Sequence, residues 1–301
     1  MEASYLKAHR VGLLKERAER LFQELRDCTL CPRNCHADRL SGDTGICKTG
    51  EHAMVSSYMP HFGEESPISG SRGSGTIFFT NCNLLCSFCQ NYDISHEGIG
   101  QPITSRELAE MMLSLQALGC HNINFVTPTH VVPQILQALI IAADNGLIIP
   151  LVYNSGGYDY VSTLKQLDGI IDIYMPDFKF WDPDIAGETC HAEDYPEIAK
   201  LAIAEMHRQT GPLAINHHGL AESGLLVRHL VMPEGTAGTS DVMNYLAKEI
   251  SEDTYVNIMA QYRPFGRAWE TPVLRRSIEI PEYRDAINAA LKAGVTRLDK
   301  I

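Results

Sequence analysis

The sequence lacks any run of about 18 apolar residues, the length that a membrane-spanning helix requires. Its first 27 residues are charged throughout and do not resemble a secretory signal. Basic residues are scarce: 25 Lys and Arg stand against 37 Asp and Glu, for a formal charge of −12. A surface for nucleic acid needs clustered Lys and Arg. We therefore predict a cytoplasmic protein that binds neither membranes nor nucleic acid.

Cysteine is plentiful and unevenly distributed. The chain has nine cysteines, an odd number, and seven of them lie between Cys28 and Cys89. An odd number of cysteines, most of them in one short stretch, does not suit the disulfide framework of a secreted protein. In a reducing compartment, clustered cysteines indicate metal or iron–sulfur ligation.

The chain of 301 residues can bury one substantial core. Residues 5–26 have the apolar spacing of an amphipathic helix, whereas residues 28–75 lack periodicity and are predicted to be irregular. Beyond residue 75, apolar β-prone runs alternate with helical stretches, which indicates βα units around a parallel sheet. Six strands are predicted, at 76–80, 122–126, 149–153, 171–175, 225–232 and 255–260. Helices are predicted near 105–118, 131–145, 158–167, 194–210, 239–251 and 282–293.

This pattern predicts an α/β fold but leaves open a doubly wound sheet or an incomplete (β/α) barrel. In both, ligands gather at the carboxyl ends of the strands. We expect two units: residues 1–71, a helix with a cysteine-rich metal-binding extension, and residues 72–301, the βα repeats.

The first predicted strand is followed by Cys82, Cys86 and Cys89 in a C-x3-C-x2-C run. A [4Fe-4S] cluster ordinarily takes four cysteine thiolates, so three on one loop leave one iron open. The alternative is a zinc ion completed by a fourth ligand, such as His96 or an N-terminal cysteine.

With Phe88 before its last cysteine, this motif resembles the signature of the radical S-adenosylmethionine (SAM) superfamily. The resemblance implies a partial (β/α)6 TIM-type barrel and a [4Fe-4S] cluster whose open iron binds SAM. It implies an oxidoreductase that cleaves SAM reductively to a 5′-deoxyadenosyl radical, which then abstracts hydrogen from a substrate. A low-potential electron donor such as flavodoxin or ferredoxin would be its partner.

Residues 28–280 further resemble one branch of that superfamily, the proteins similar to pyruvate formate-lyase activating enzyme. The similarity is clearest in the cysteine motifs and near Leu226–Pro233, and it implies a glycine of a partner enzyme as substrate. Activases often carry a ferredoxin-like insert after the SAM motif, and this chain has none after Cys89. Two alternatives stay open: a radical SAM synthase or rearrangement enzyme acting on a small metabolite, and a non-enzymatic iron–sulfur or zinc redox scaffold.

The same resemblance assigns residues to a SAM pocket. Thr129 and His130 stand where relatives hold the SAM amino group, although Thr129 is also a typical helix N-cap. Asp177 and Lys179 resemble a D-x-K element and would contact the ribose and carboxylate of SAM, unless they pair with each other. Arg228 resembles an arginine that faces the SAM pocket.

Two further positions complete the predicted pocket. Asn154 and Ser155 follow the third strand and precede two glycines that permit close approach of a ligand to the backbone. Gln261 or Tyr262 stands where activating enzymes commonly carry a histidine for the ribose.

A second cysteine cluster precedes the barrel. Cys28, Cys31, Cys35 and Cys47 supply four thiolates, which suit a closed tetrahedral site. Zinc and a second [4Fe-4S] cluster fit the spacing alike. Residues 28–35 also resemble the N-terminal element of activating-enzyme-like radical SAM proteins. Cys190, beside His191, is expected to be structural, with a ligand or hydrogen-atom donor as the alternative.

Overall fold

The computed structural model describes residues 2–299 and contains one mixed sheet flanked by helices. Its strands are β1 (Ala53–His61), β2 (Ser74–Phe79), β3 (Gln101–Ile103), β4 (Ile123–Val126), β5 (Leu151–Ser155), β6 (Ile173–Pro176), β7 (Ala214–Ile215), β8 (Ala221–Leu230) and β9 (Tyr255–Met259). The helices are α1 (Ser4–Arg10), α2 (Leu13–Gln23), α3 (Ser66–Ser69), α4 (Tyr92–Ser95), α5 (Ser105–Ala117), α6 (Val132–Asp144), α7 (Val161–Gln166), α8 (Pro183–Cys190), α9 (Tyr195–Thr210), α10 (Thr239–Tyr245) and α11 (Ile280–Ala293). A π-helical stretch, Leu246–Ile250, continues α10.

Six strands form the parallel part of the sheet, in the order β2, β4, β5, β6, β8 and β9. The other three, β1, β3 and β7, pair antiparallel at its margins. An open, mostly parallel sheet with this strand order is that of a partial (β/α)6 TIM-type barrel, which confirms the predicted fold class. The six parallel strands are the six that the sequence predicts.

Two expectations for the first 75 residues are wrong in part. A turn at Val11 and Gly12 divides the predicted helix of residues 5–26 into α1 and α2. Residues 28–75 are not irregular throughout, because β1 extends along β2 and pairs Tyr58 with Ile77. The strand β1 precedes residue 71 but pairs with a barrel strand that follows it, so the sheet extends across the expected division. That division stays a prediction.

The N-terminal helices cover one end of the barrel. Leu14, Ala18, Leu21 and Leu25 are buried, as their amphipathic spacing predicts, and α2 packs against α6. Two polar contacts fasten the segment: Ser4 N donates to Asp172 Oδ1 (2.8 Å) and Arg17 Nη1 donates to Gln166 O (3.0 Å). This arrangement closes the amino ends of the strands and leaves the carboxyl ends for a site.

A separate apolar cluster contains residues from several strands of the barrel. It consists of Ile68, Val152, Ile173, Met175, Leu213, Ala221, Leu226 and Tyr255. A larger cluster fills the space between the strands and the surrounding helices. Within residues 2–299, no helix is both long and apolar enough to cross a membrane.

Candidate functional site

A cavity of about 230 Å³ lies at the carboxyl ends of the parallel strands. One wall is the loop from Asn81 to Asn91, which connects β2 to α4. The facing walls present polar and apolar side chains from all six parallel strands or the residues that follow them. These include Phe79, Val126, Thr127, Asn154, Ser155, Asp177, Lys179, Arg228, Leu230, Met259 and Gln261.

Cys82, Cys86 and Cys89 all line this cavity. The loop turns sharply between them, with left-handed backbone at Asn81 (φ 71°) and Leu85 (φ 58°). Hydrogen-bond donors reach two of the sulfurs: Leu84 N lies 3.3 Å from Cys82 Sγ, and Ser95 Oγ lies 3.2 Å from Cys89 Sγ. Donors of this kind stabilise thiolates bound to iron.

The loop's donor set therefore fits an iron–sulfur cluster chemically. Within residues 2–299, no three histidine, cysteine or carboxylate side chains are arranged to hold a metal ion as they stand.

The Cys190 thiol, on the last residue of α8, contacts the Cys86 thiol. This contact and burial together raise the pKa of Cys86.

Three charged side chains form a buried network opposite the cysteines. Asp177 accepts from Lys179 Nζ (2.5 Å) through one carboxylate oxygen and from Arg228 Nε (2.8 Å) through the other. Burial alone would raise the pKa of Asp177, but Arg228 and Lys179 outweigh it and hold that pKa below its usual value. Arg228 Nη1 also lies 3.8 Å from Glu64 Oε2. The pairing of Asp177 with Lys179, which the sequence left open as the alternative to contact with SAM, is present, and both residues also line the cavity.

A fully buried carboxylate, Asp159, fixes the strand ends behind the cavity. It accepts hydrogen bonds from Thr129 Oγ1 (2.7 Å), Tyr153 OH (2.9 Å) and Ser155 Oγ (2.6 Å). Burial raises the pKa of Asp159, although these hydroxyls oppose the effect. Ser155 borders the cavity, yet its hydroxyl proton is directed to Asp159. The sequence carried no signal for this role of Asp159, apart from its place shortly after a strand.

The structure does not bring Thr129, His130 or Tyr262 to the cavity wall. Thr129 lies in a 3-10 turn preceding α6 and is not the helix N-cap either. His130 is buried and its Nε2 lies 3.0 Å from Thr80 O; burial lowers its pKa to about 4. Tyr262 is buried and donates to Leu274 O (2.7 Å), so its neighbour Gln261 is the residue that reaches the cavity.

The four N-terminal cysteines lie near one another on the loop between α2 and β1. Burial raises the pKa of Cys31 to about 12, with smaller contributions from Cys47, Cys28 and Cys35. Gly45 approaches this set so closely that a Cβ there would lie 2.6 Å from Cys35 Sγ. The turn therefore leaves room only for a glycine beside the sulfur.

Arg39 gives these cysteines an unusual neighbour. It is 1% exposed, donates to Gly50 O (2.9 Å) and His130 O (2.9 Å), and places Nη1 3.8 Å from Cys28 Sγ. Within the described residues it forms no ion pair with a carboxylate. A buried cation needs a counter-charge. A set of metal-bound thiolates, which is negative, would supply one, so the chemistry of these residues, though not their present arrangement, suits a four-cysteine metal centre.

Comparison with known proteins agrees with this geometry. Residues 76–222 match the family model of the Radical SAM superfamily, so the chain carries a radical SAM domain. That domain implies a [4Fe-4S] cluster and SAM, and it covers the cysteine loop together with Asn154, Asp177 and Lys179.

A protein of Methanocaldococcus jannaschii described as uncharacterized is similar over nearly the whole chain. It is 29% identical to this chain over 301 residues, covering 97% of this chain and 81% of the relative. The similarity therefore includes the N-terminal cysteine region as well as the barrel.

Proposed function

We propose that this chain is a radical SAM enzyme in which Cys82, Cys86 and Cys89 hold a [4Fe-4S] cluster and the adjoining cavity binds SAM. The observation that carries the proposal is the meeting of two groups at one cavity. The three cysteines line one side, and the network of Asp177, Lys179 and Arg228 lines the other. When bound, the cluster supplies the electron that cleaves SAM.

The buried charges indicate how this chain would orient SAM. Although burial opposes it, Asp177 and Cys86 raise the pKa of Lys179, which therefore stays a cation beside the cysteine loop. A cation in that position suits the carboxylate of SAM. Asp177 is ionised and suits a ribose hydroxyl. Asn154 and Gln261 add polar groups along the same cavity.

A protein substrate, such as a glycine in a partner enzyme, is the finer proposal. Phe265 and Trp269 are 41% and 59% exposed, in a segment that rests on the cysteine loop through Arg267 N and Ser87 O (2.7 Å). Exposed aromatic side chains on a segment that contacts the cysteine loop favour contact with another protein. A small-metabolite substrate would leave this segment without a role.

The N-terminal cysteines hold zinc or a second [4Fe-4S] cluster in this proposal, with Arg39 as the compensating cation. A low-potential electron donor such as flavodoxin or ferredoxin would reduce the SAM cluster.

One anaerobic experiment tests the main proposal. The clusters are reconstituted, SAM and dithionite are added, and 5′-deoxyadenosine is measured for wild type, Cys86→Ala and the matched control Cys120→Ala. Cys120 is buried outside the cavity. Product is expected from wild type and the control, with loss in Cys86→Ala. A redox scaffold would give no product from any of them, and equal product from Cys86→Ala would refute the assignment.

A further inference from the structure

A single side chain, Arg33, joins the N-terminal cysteine element to the loop that carries the SAM-cluster cysteines. Its guanidinium donates to Asn83 O (2.7 Å), Leu84 O (2.9 Å) and Cys190 O (2.7 Å), and also to His191 O. It lies 5.2 Å from the centre of the Tyr158 ring. One planar group thus satisfies four carbonyls on two separate segments.

These four carbonyl oxygens lie at a turn and at a helix end, where regular backbone hydrogen bonds do not reach them. Asn83 and Leu84 stand between Cys82 and Cys86, just before the left-handed Leu85. Cys190 and His191 end α8, where carbonyls lose their helical partners, and His191 is also left-handed (φ 50°). A direct bond from Ser87 N to Thr189 O (2.8 Å) joins the same two segments. Arg33 therefore holds the cysteine loop against α8 from the outside.

The position of Arg33 depends on the four-cysteine element. Arg33 lies between Cys31 and Cys35, in a stretch without regular helix or strand. Left-handed backbone flanks it at Asn34 (φ 42°) and His36 (φ 55°). Such a segment needs an added constraint to stay ordered, and a bound metal supplies one.

We propose that Arg33 is a positioning residue through which the metal of the four-cysteine element fixes the SAM-cluster loop, so that SAM binding depends on that metal. The inference rests on the proposed function, and it makes the N-terminal element part of the catalytic apparatus rather than a separate unit. Arg33 touches neither the cavity nor the cluster thiols, so its effect is carried by the loop.

The experiment compares Arg33→Lys, Cys47→Ala and the double variant with wild type. Lysine keeps the charge but cannot reach four carbonyls, so it separates geometry from electrostatics. The control is Arg26→Lys, since Arg26 is exposed, lies just before the four-cysteine element and, among the described residues, hydrogen-bonds to the Gln23 side chain (3.2 Å). Iron and zinc are counted, and SAM is titrated into the dithionite-reduced proteins while the electron paramagnetic resonance spectrum of the cluster is followed.

Arg33→Lys is expected to keep both metals and to weaken SAM binding at least about threefold, whereas Arg26→Lys matches wild type. Cys47→Ala is expected to lose the N-terminal metal and to weaken SAM binding similarly. The double variant is expected to bind SAM no more weakly than Cys47→Ala, because both changes release the same loop. Wild-type binding by Arg33→Lys, or effects that multiply in the double variant, would overturn the inference.

If a variant is less stable overall, hydrogen exchange distinguishes local loosening of the cysteine loop from a general loss of structure. Amides of residues 83–91 are expected to exchange faster in Arg33→Lys and Cys47→Ala, with α9 as an unaffected reference. Equal acceleration in α9 would mean general loss of structure and would overturn the inference. A wild-type protein that holds a cluster but shows no SAM effect would overturn the proposed function itself, and with it this inference.

Discussion

Replacing Arg39 with methionine tests whether the N-terminal cysteines carry negative charge. Methionine fills similar space without charge or donors. The change leaves Gly50 O and His130 O without these partners; His130 O is buried, and an unsatisfied buried carbonyl costs about 1–3 kcal/mol. Loss of one member of a buried charge pair costs about 3–5 kcal/mol. Together the two costs predict that the free energy of unfolding of the metal-loaded protein falls by about 4–8 kcal/mol.

The same replacement should cost much less once the cysteines are removed. In a Cys28→Ser, Cys47→Ser background, Arg39 would be a buried cation without a counter-charge. Replacing it there also removes the desolvation cost of that unpaired charge. We expect its cost there to be smaller by at least about 2 kcal/mol. Anaerobic urea unfolding with metal content measured in parallel gives both values.

The control for this cycle is Arg26→Met, an exposed change expected to stay within about 0.5 kcal/mol of wild type. Equal losses for Arg39→Met in the two backgrounds would refute the reasoning. Arg39 would then act only through its carbonyl contacts, and the cysteines would be neutral thiols.

Two further changes probe the barrel. Gly157→Ala would place a Cβ 2.1 Å from Asp177 O, at a backbone φ of 77°. We therefore expect the free energy of unfolding in urea to fall by about 1–3 kcal/mol and SAM to bind more weakly. The control Gly146→Ala, at φ 93° with open space around it, should leave SAM binding unchanged. Burial lowers the pKa of His229 to about 4, below the unfolded value of 6.5. The contribution of neutral His229 to the free energy of unfolding is therefore complete above pH 6.5. About 3 kcal/mol of that contribution is lost as the pH falls from 6.5 towards 4. Urea midpoints across this range should fall less steeply in His229→Asn than in the exposed control His218→Asn, and identical slopes would contradict the assignment.

The sequence pattern was sufficient to locate the parallel strands because both faces of these strands are buried. The strands β4, β5 and β6 consist almost entirely of buried residues, and such continuous apolar runs are visible without knowledge of their neighbours. The strand β1 was missed because it lies near the sheet margin, contains Pro60 and becomes more exposed after Val55. Its pairing depends on β2, so its own sequence does not specify it.

Candidate site residues were predictable where spacing or strand ends placed them. Cys82, Cys86 and Cys89 share one loop, and Asp177, Lys179 and Arg228 lie at or beside the ends of neighbouring strands. The contact of Cys190 with Cys86 could not be predicted, because it depends on how α8 packs against a loop about a hundred positions earlier. Arg33 was likewise hidden, since its four partners come from distant parts of the chain.

The Asp159 network narrows which groups can contact SAM. Because Thr129, Tyr153 and Ser155 all donate to this carboxylate, their hydroxyl protons are not available to a ligand without breaking a buried hydrogen bond. A nucleotide in the cavity would therefore find its donors and acceptors among other lining side chains, such as Asn154, Asp177 and Gln261, with Lys179 and Arg228 as the cations. A rigid, self-satisfied wall behind these groups also limits how far they can move. This favours a cavity whose shape is set before SAM binds.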